Sequence, residues 1–171
     1  MDTDPEPSQA PARPVPGTVT HEASLPIDWI GSAKGSVSDS LMAWANGRLA
    51  ELPVGLGWDV MRLPGPEGWE TVRQVSVQQA ALGPVLHTRC GVEFFVPPRS
   101  ASAGDLPRAV LLGEGETVEV PPPDVVAPRT FRARTWIVPP RCPGGLTEAR
   151  TLYAAYAAAV AKVRAVRERP R

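Results

Sequence analysis

The chain is predicted to fold as an α+β domain, a mixed, largely antiparallel sheet packed against about three helices, with a disordered N-terminal tail. Three observations predict it. Apolar residues recur at helical spacing near 37–51 and 147–167, short β-rich runs fill 84–138, and prolines crowd the first 24 residues. With 171 residues, 43% of them hydrophobic, the chain can bury one sizeable core. The expected organisation is therefore a tail over 1–24 and a single domain over 25–171.

Taken in order, the tail holds Pro5, Pro7, Pro11, Pro14 and Pro16 among acidic and hydroxylated residues. Such a segment buries too little apolar surface to offset its ordering entropy. Ile30, Ala33, Val37, Leu41, Trp44, Ala45, Leu49 and Leu52 then follow a helical period, with Ser36 or Ser38 as cap and Pro53 as stop. The run 58–63, WDVMRL, alternates as a strand. Pro66 suits a first helical turn, so 66–80 is a second helix. Residues 84–88 and 92–96 flank Arg89-Cys90-Gly91 as a hairpin, and 117–120 and 135–138 are two further strands. Val96, Val120 and Val138 are each followed by two prolines, which lack the N–H that a ladder needs. That cadence places three strand ends on one rim. The last helix, 147–167, has Thr147 as its expected N-cap, an apolar face of Ala149, Leu152, Tyr153, Tyr156, Val160 and Val163, and arginines at its C-terminal end.

Charge is balanced overall, with eighteen basic and eighteen acidic residues, so it names no partner. The halves differ: residues 1–80 carry five basic against ten acidic residues, and residues 81–171 carry thirteen against eight. A mildly basic second half permits an anionic partner. Only Lys34 and Lys162 are lysines, and with the wealth of Ala, Val, Gly and Pro this reads as the coding bias of a GC-rich bacterial genome, not as selection for phosphate binding. Cys90 and Cys142 make no disulfide framework, no secretory signal opens the chain, and the apolar run 153–163 is too short to span a bilayer. The expected location is the cytoplasm, away from membranes.

No complete catalytic motif is present. Phosphate-binding and dinucleotide glycine patterns are missing, as is a Gly-x-Ser-x-Gly elbow. His87, Cys90 and Cys142 supply three potential zinc ligands where a structural site wants four, so a hairpin histidine and two small buried thiols are the plainer account. The strongest candidate is Arg129-Thr130-Phe131-Arg132-Ala133-Arg134-Thr135-Trp136. On a strand, Arg132 and Arg134 share a face, with Phe131 near them and Trp136 extending the row. Arginines and aromatics so arranged track phosphates and stack bases of a single strand. A hairpin arm with solvent-facing arginines and a core Trp136 is the competing account. Arg89, Arg99 and Arg141, near strand ends, are candidates to join the surface.

The succession WDVMRLP, a helix, LGPVL, GVEFFVPP, LLGEGETVEVPPP, TWIVPP and a closing helix, over residues 58–165, resembles the distal half of the bifunctional primase–polymerase N-terminal domain, of the archaeo-eukaryotic primase superfamily. The resemblance implies association with replication or mobile elements. Its chemistry needs carboxylates two apart on a strand to hold divalent metal ions. Here the only Asp-x-Asp is Asp2-Thr3-Asp4 in the tail, and Glu114 and Glu116 fall in a turn with Glu119 after them. The resulting expectation is a non-catalytic relative, without cofactor, that binds single-stranded nucleic acid or a replication or mobile-element protein. One alternative is a minimal nucleotidyltransferase using divalent metal on Asp59, Glu93, Glu114 and Asp124. The other is a structural protein–protein interaction module.

Overall fold

The computed structural model describes residues 27–104, 106–141 and 145–169. The predicted disordered tail and Cys142 lie outside the described residues. Helices α1 (Ile27–Ser32) and α2 (Val37–Ala45) come first, followed by strands β1 (Ala50–Pro53) and β2 (Asp59–Leu63) and helix α3 (Gly65–Val77). Five strands follow, β3 (Val85–Thr88), β4 (Gly91–Val96), β5 (Val110–Leu112), β6 (Thr117–Val120) and β7 (Thr135–Val138), before helix α4 (Ala149–Arg167). The predicted α+β class holds, with every strand ladder antiparallel. The larger sheet has the order β5-β2-β4-β3-β7, and β1 and β6 form a separate two-stranded sheet.

Both faces of the larger sheet are covered, which is why all six residues of β4 are buried. On one face Met61, Leu63, Val92, Phe94 and Val96 meet Leu152 and Tyr156 of α4. On the other, Val60, Leu86, Phe95 and Trp136 meet Trp29 and Ile30 of α1 and the inner side chains of the small sheet, Ala50, Leu52, Val118 and Val120. Period-two alternation divides each central strand between these two cores. Burial of each large side chain contributes roughly 1.5–3 kcal/mol.

The β3–β4 hairpin follows the expected register, with Thr88 opposite Gly91. Gly91 has φ 140°, and a Cβ there would stand 2.1 Å from the Leu63 carbonyl oxygen. Gly68 lets α3 settle on β4: a Cβ would come within 2.6 Å of Val92 Cβ.

Several expectations are corrected. The helix expected over 37–51 stops at Ala45. Gly47, with φ 66°, closes it: Gly47 N–H donates to Trp44 O (3.0 Å) and Arg48 N–H to Ala43 O (2.8 Å), the paired bonds of a Schellman stop. Residues 50–53 then become β1 instead of continuing the helix. Ser36 is its cap, its side chain accepting from Asp39 N–H at 3.1 Å. The helix expected over 66–80 ends at Val77, followed by Gln79 at φ 54°. Thr147 does not cap α4. It is buried, its hydroxyl accepts from Gly83 N–H (3.0 Å) and its own N–H donates to Phe95 O (3.0 Å). It fastens the start of α4 to the sheet, and Glu148 stands at the cap position. Of the three Val-Pro-Pro ends, those of β4 and β7 share one rim, because both strands run antiparallel to β3. The third belongs to the small sheet.

The outer edge of β7 is covered. After β6 the chain turns so that Val126 bridges Trp136, and Trp136 N–H donates to Val125 O at 2.9 Å. At the opposite edge, β5 has only three residues.

Candidate binding groove

The arginine–aromatic segment does not form a strand face. Phe131 and Arg134 exchange backbone hydrogen bonds (2.8 and 3.0 Å), and between them Arg132 and Ala133 both have positive φ, 48° and 59°. That is a two-residue hairpin turn, a conformation that usually selects Asn or Gly. The strand starts only at Thr135. Trp136 is 1% exposed, its indole ring in the aromatic core and its Nε1–H donating to Pro121 O at 3.3 Å. It therefore cannot stack on a base. Arg129 is exposed and paired with Asp124 at 3.6 Å. Arg132 Nε donates to Gly47 O (2.7 Å) and Arg134 Nη2 to Glu119 Oε2 (2.6 Å). Phe131 is half-buried.

The other arginines divide between the two ends of the sheet. Arg89, at the β3–β4 turn, lies at the end where β7 begins, near Arg134, whereas Arg99 and Arg141 follow the C-terminal ends of β4 and β7. One continuous basic surface is not formed.

The turn that carries Arg132 instead forms one wall of a groove of about 760 Å³. Its opposite wall is α2, through Asp39 and Met42, and Arg48 lies where α2 passes into β1. The outer face of the small sheet contributes Glu51 and Glu119, which stand directly opposite each other in the ladder. The alternation that sends Leu52, Val118 and Val120 into the core sends these two carboxylates outward. Met42 is 59% exposed beside them. Three carboxylates thus share the groove with Arg48 and Arg132, while Arg134 is already matched to Glu119.

Close to Arg134 and Glu119 lies an ion pair whose carboxylate is buried. Arg62 and Glu93 are cross-strand partners of β2 and β4, with Nε and Nη2 at 2.8 and 2.7 Å from Glu93 Oε1. The Glu93 side chain is 3% exposed and its Oε2 has no partner among the described residues. Burial pushes its carboxyl above the ordinary glutamate range, although the Arg62 hydrogen bond and charge pull the other way.

The four acids weighed for metal chemistry do not converge. Asp59 is buried and accepts from Arg99 N–H at 2.6 Å. It pairs with Val96 in the ladder, three pairs from the Arg62–Glu93 pair, so Asp59 and Glu93 project to opposite faces of the sheet. Glu114 lies exposed in the β5–β6 turn and Asp124 is tied to Arg129. Among the described residues no three His, Cys, Asp or Glu side chains are placed to share a metal ion. His87 accepts from Trp69 Nε1–H through Nδ1 at 3.2 Å. Cys90 is exposed, correcting the expectation that it is buried: it occupies the two-residue hairpin turn.

Sequence reasoning missed Asp39, Met42, Arg48 and Glu51. Read as one long helix, 37–51 spreads these residues around a cylinder. The Asn46-Gly47 stop was the signal that separates them into two walls. No described helix is long and apolar enough to cross a membrane. No protein-family model matches the chain, and no match was found among curated proteins or among solved structures.

Proposed function

We propose that this chain is a non-catalytic binding protein whose groove takes an extended polypeptide segment carrying basic and apolar side chains. One observation supports this above the others: Asp39, Glu51 and Glu119 line the groove beside the exposed Met42. Glu119 is already matched to Arg134, so Asp39 and Glu51 are left to take Arg or Lys of a partner against the neighbouring Arg48 and Arg132, and a projecting methionine gives an adaptable apolar contact. The cadence of strands and Val-Pro-Pro ends, which resembles the primase–polymerase domain, adds the class of partner: a protein of replication or of a mobile element. Nucleic-acid binding through Arg132 and Arg134 is the competing reading, and it has no exposed stacking ring from Trp136 to support it.

Fluorescence anisotropy tests this with two labelled probes across a salt titration, a peptide alternating Arg with Leu and a single-stranded oligonucleotide. The peptide is expected to bind, and Glu51→Lys combined with Met42→Lys to abolish that binding. Oligonucleotide binding that weakens steeply with salt, and is lost on Arg132→Ala plus Arg134→Ala, would overturn the proposal in favour of nucleic acid.

A further inference from the structure

On the other side of the larger sheet, the first turn of α3 lies against the last turns of α4. A cavity of about 290 Å³ opens there, lined by Glu67, Arg108, Val160, Arg164, Arg167 and Glu168. Glu67 is its buried member, with a side chain 3% exposed. Arg108, from the β4–β5 segment, and Arg167, from α4, both approach the same oxygen, Oε1, the latter at 3.7 Å. The other oxygen, Oε2, is buried without a hydrogen-bond partner among the described residues. A buried, unpaired carboxylate oxygen is costly and calls for a donor. Arg164 is bonded at 2.8 Å to Glu168, at the solvent-facing end of the helix.

Three guanidiniums against two carboxylates leave one positive charge in excess, with more N–H donors than carboxylate oxygens to accept them. Arginines in the last turn of a helix also complement its dipole. That explains Arg164 and Arg167 singly. It does not explain their meeting with Arg108 around one buried carboxylate from another helix. The site therefore offers two complementary things at once: a cationic rim and an acceptor in need of a proton.

We propose that this cavity binds a small phosphate-type oxyanion that retains a proton, either inorganic phosphate or the terminal phosphate of a small ester. Its unprotonated oxygens accept from Arg108, Arg164 and Arg167, and a rotation of the Glu67 carboxyl, whose Oε2 is covered in the unliganded chain, brings that oxygen to the P–OH. Arg supplies the planar, multidentate fork that suits such an anion. The volume is at the small end for ligand cavities, which fits one phosphate group with little attached. The site is independent of the groove, and neither proposal requires the other.

Calorimetric titration with inorganic phosphate, against sulfate at matched ionic strength, tests the assignment. Sulfate has no proton to donate at neutral pH. Saturable phosphate binding is expected, with sulfate weaker by about tenfold, the ratio that one lost hydrogen bond to a charged group gives. Glu67→Gln is expected to erase that preference. Arg164 is 77% exposed and its recorded ion pair is with Glu168, so Arg164→Ala leaves the fold intact, checked by far-UV circular dichroism. It is expected to weaken phosphate by about tenfold on the same arithmetic. Equal affinities for phosphate and sulfate, no saturable phosphate binding, or unchanged affinity in Arg164→Ala would each overturn the proposal. If Glu67→Gln fails to fold, the phosphate-to-sulfate ratio and Arg164→Ala still decide the matter. Binding of a 5′-phosphorylated oligonucleotide without binding of free phosphate would count against a small ligand.

Discussion

The two faces of the five-stranded sheet solve the same burial problem with different materials. On one face, Trp29 and Trp58 stack at 4.4 Å and 7°, Phe95 meets both edge-on, and Trp136 meets Trp29 edge-on and Phe95 at a tilt. Charge also lies on this face: Glu93, 3% exposed, shares the side of Phe95 and holds Arg62, whose side chain is 29% exposed. On the other face Phe94 and Tyr156 sit among aliphatic side chains, Asp59 and Glu67 are buried acids, and a further set of polar groups stands at the rim. There Tyr153 Oη donates to Ser102 O at 3.1 Å and accepts from Ser102 N–H, Tyr156 Oη donates to Pro107 O, and Glu70 joins Arg73 (2.6 Å) and Lys162 (3.0 Å). A buried carboxylate and one fastened at a rim answer differently to mutation and to pH.

The largest difference is expected from Arg62→Ala. It leaves Glu93 buried without its partner and should cost about 3–5 kcal/mol in denaturant unfolding at neutral pH. The native Glu93 value is raised above its unfolded one. Its contribution is therefore present in full below the ordinary glutamate range and is lost as pH rises through the raised value. The Arg62→Ala deficit should accordingly shrink on acidification. A deficit independent of pH would show that the cost comes from lost packing of the Arg62 stem.

A second difference appears in hydrogen exchange followed from neutral pH toward acid. Glu70 behaves oppositely to Glu93: its hydrogen bond to Arg73, opposed by desolvation and aided by Lys162 and Gln74, holds its carboxyl down to about 2. Its contribution is present above the ordinary glutamate range and is lost as pH falls toward that value. Protection in α3 and α4 should decline with acid before protection in β2 and β4 does, and Glu70→Gln should remove that early decline. A simultaneous loss in helices and strands would mean that the two faces open as one unit.

The smallest effect is expected from Tyr153→Phe, which removes both bonds to Ser102 and leaves the ring in place. A cost of about 1–2 kcal/mol is expected, for two modest hydrogen bonds. Faster amide exchange should be confined to the segment between β4 and β5.

Sequence periodicity made one face more legible than the other. The apolar row of α4, the hairpin around Cys90 and strand β7 all follow from spacing and from the proline stops, as does β6 on the aromatic side. The aromatic face was harder because its lid is built from short pieces. Leu49 and Leu52 stay in helical register with Leu41 and Ala45, so period alone could not separate β1 from α2. The three-residue β5 is too short to show a period. The strand face expected of Arg132 and Arg134 failed for a related reason: their alternation looks like a strand, and nothing in the residue types announces positive φ at Arg132 and Ala133. Burial of Trp136, the competing account, is what the structure has. Glu67 gave no signal beyond a helical first turn, since its partners come from residues 108 and 167.

The covered flank of β7 bears on how the molecule behaves in company. Open sheet borders recruit other chains, and proteins commonly blunt them with short strands or overlying segments. Here Val125 and Val126 occupy one border and the other is only three residues long. The sheet that carries most of the core therefore offers little template for growth into fibrils. Self-association, where it occurs, is left to side-chain surfaces and not to backbone pairing along that sheet.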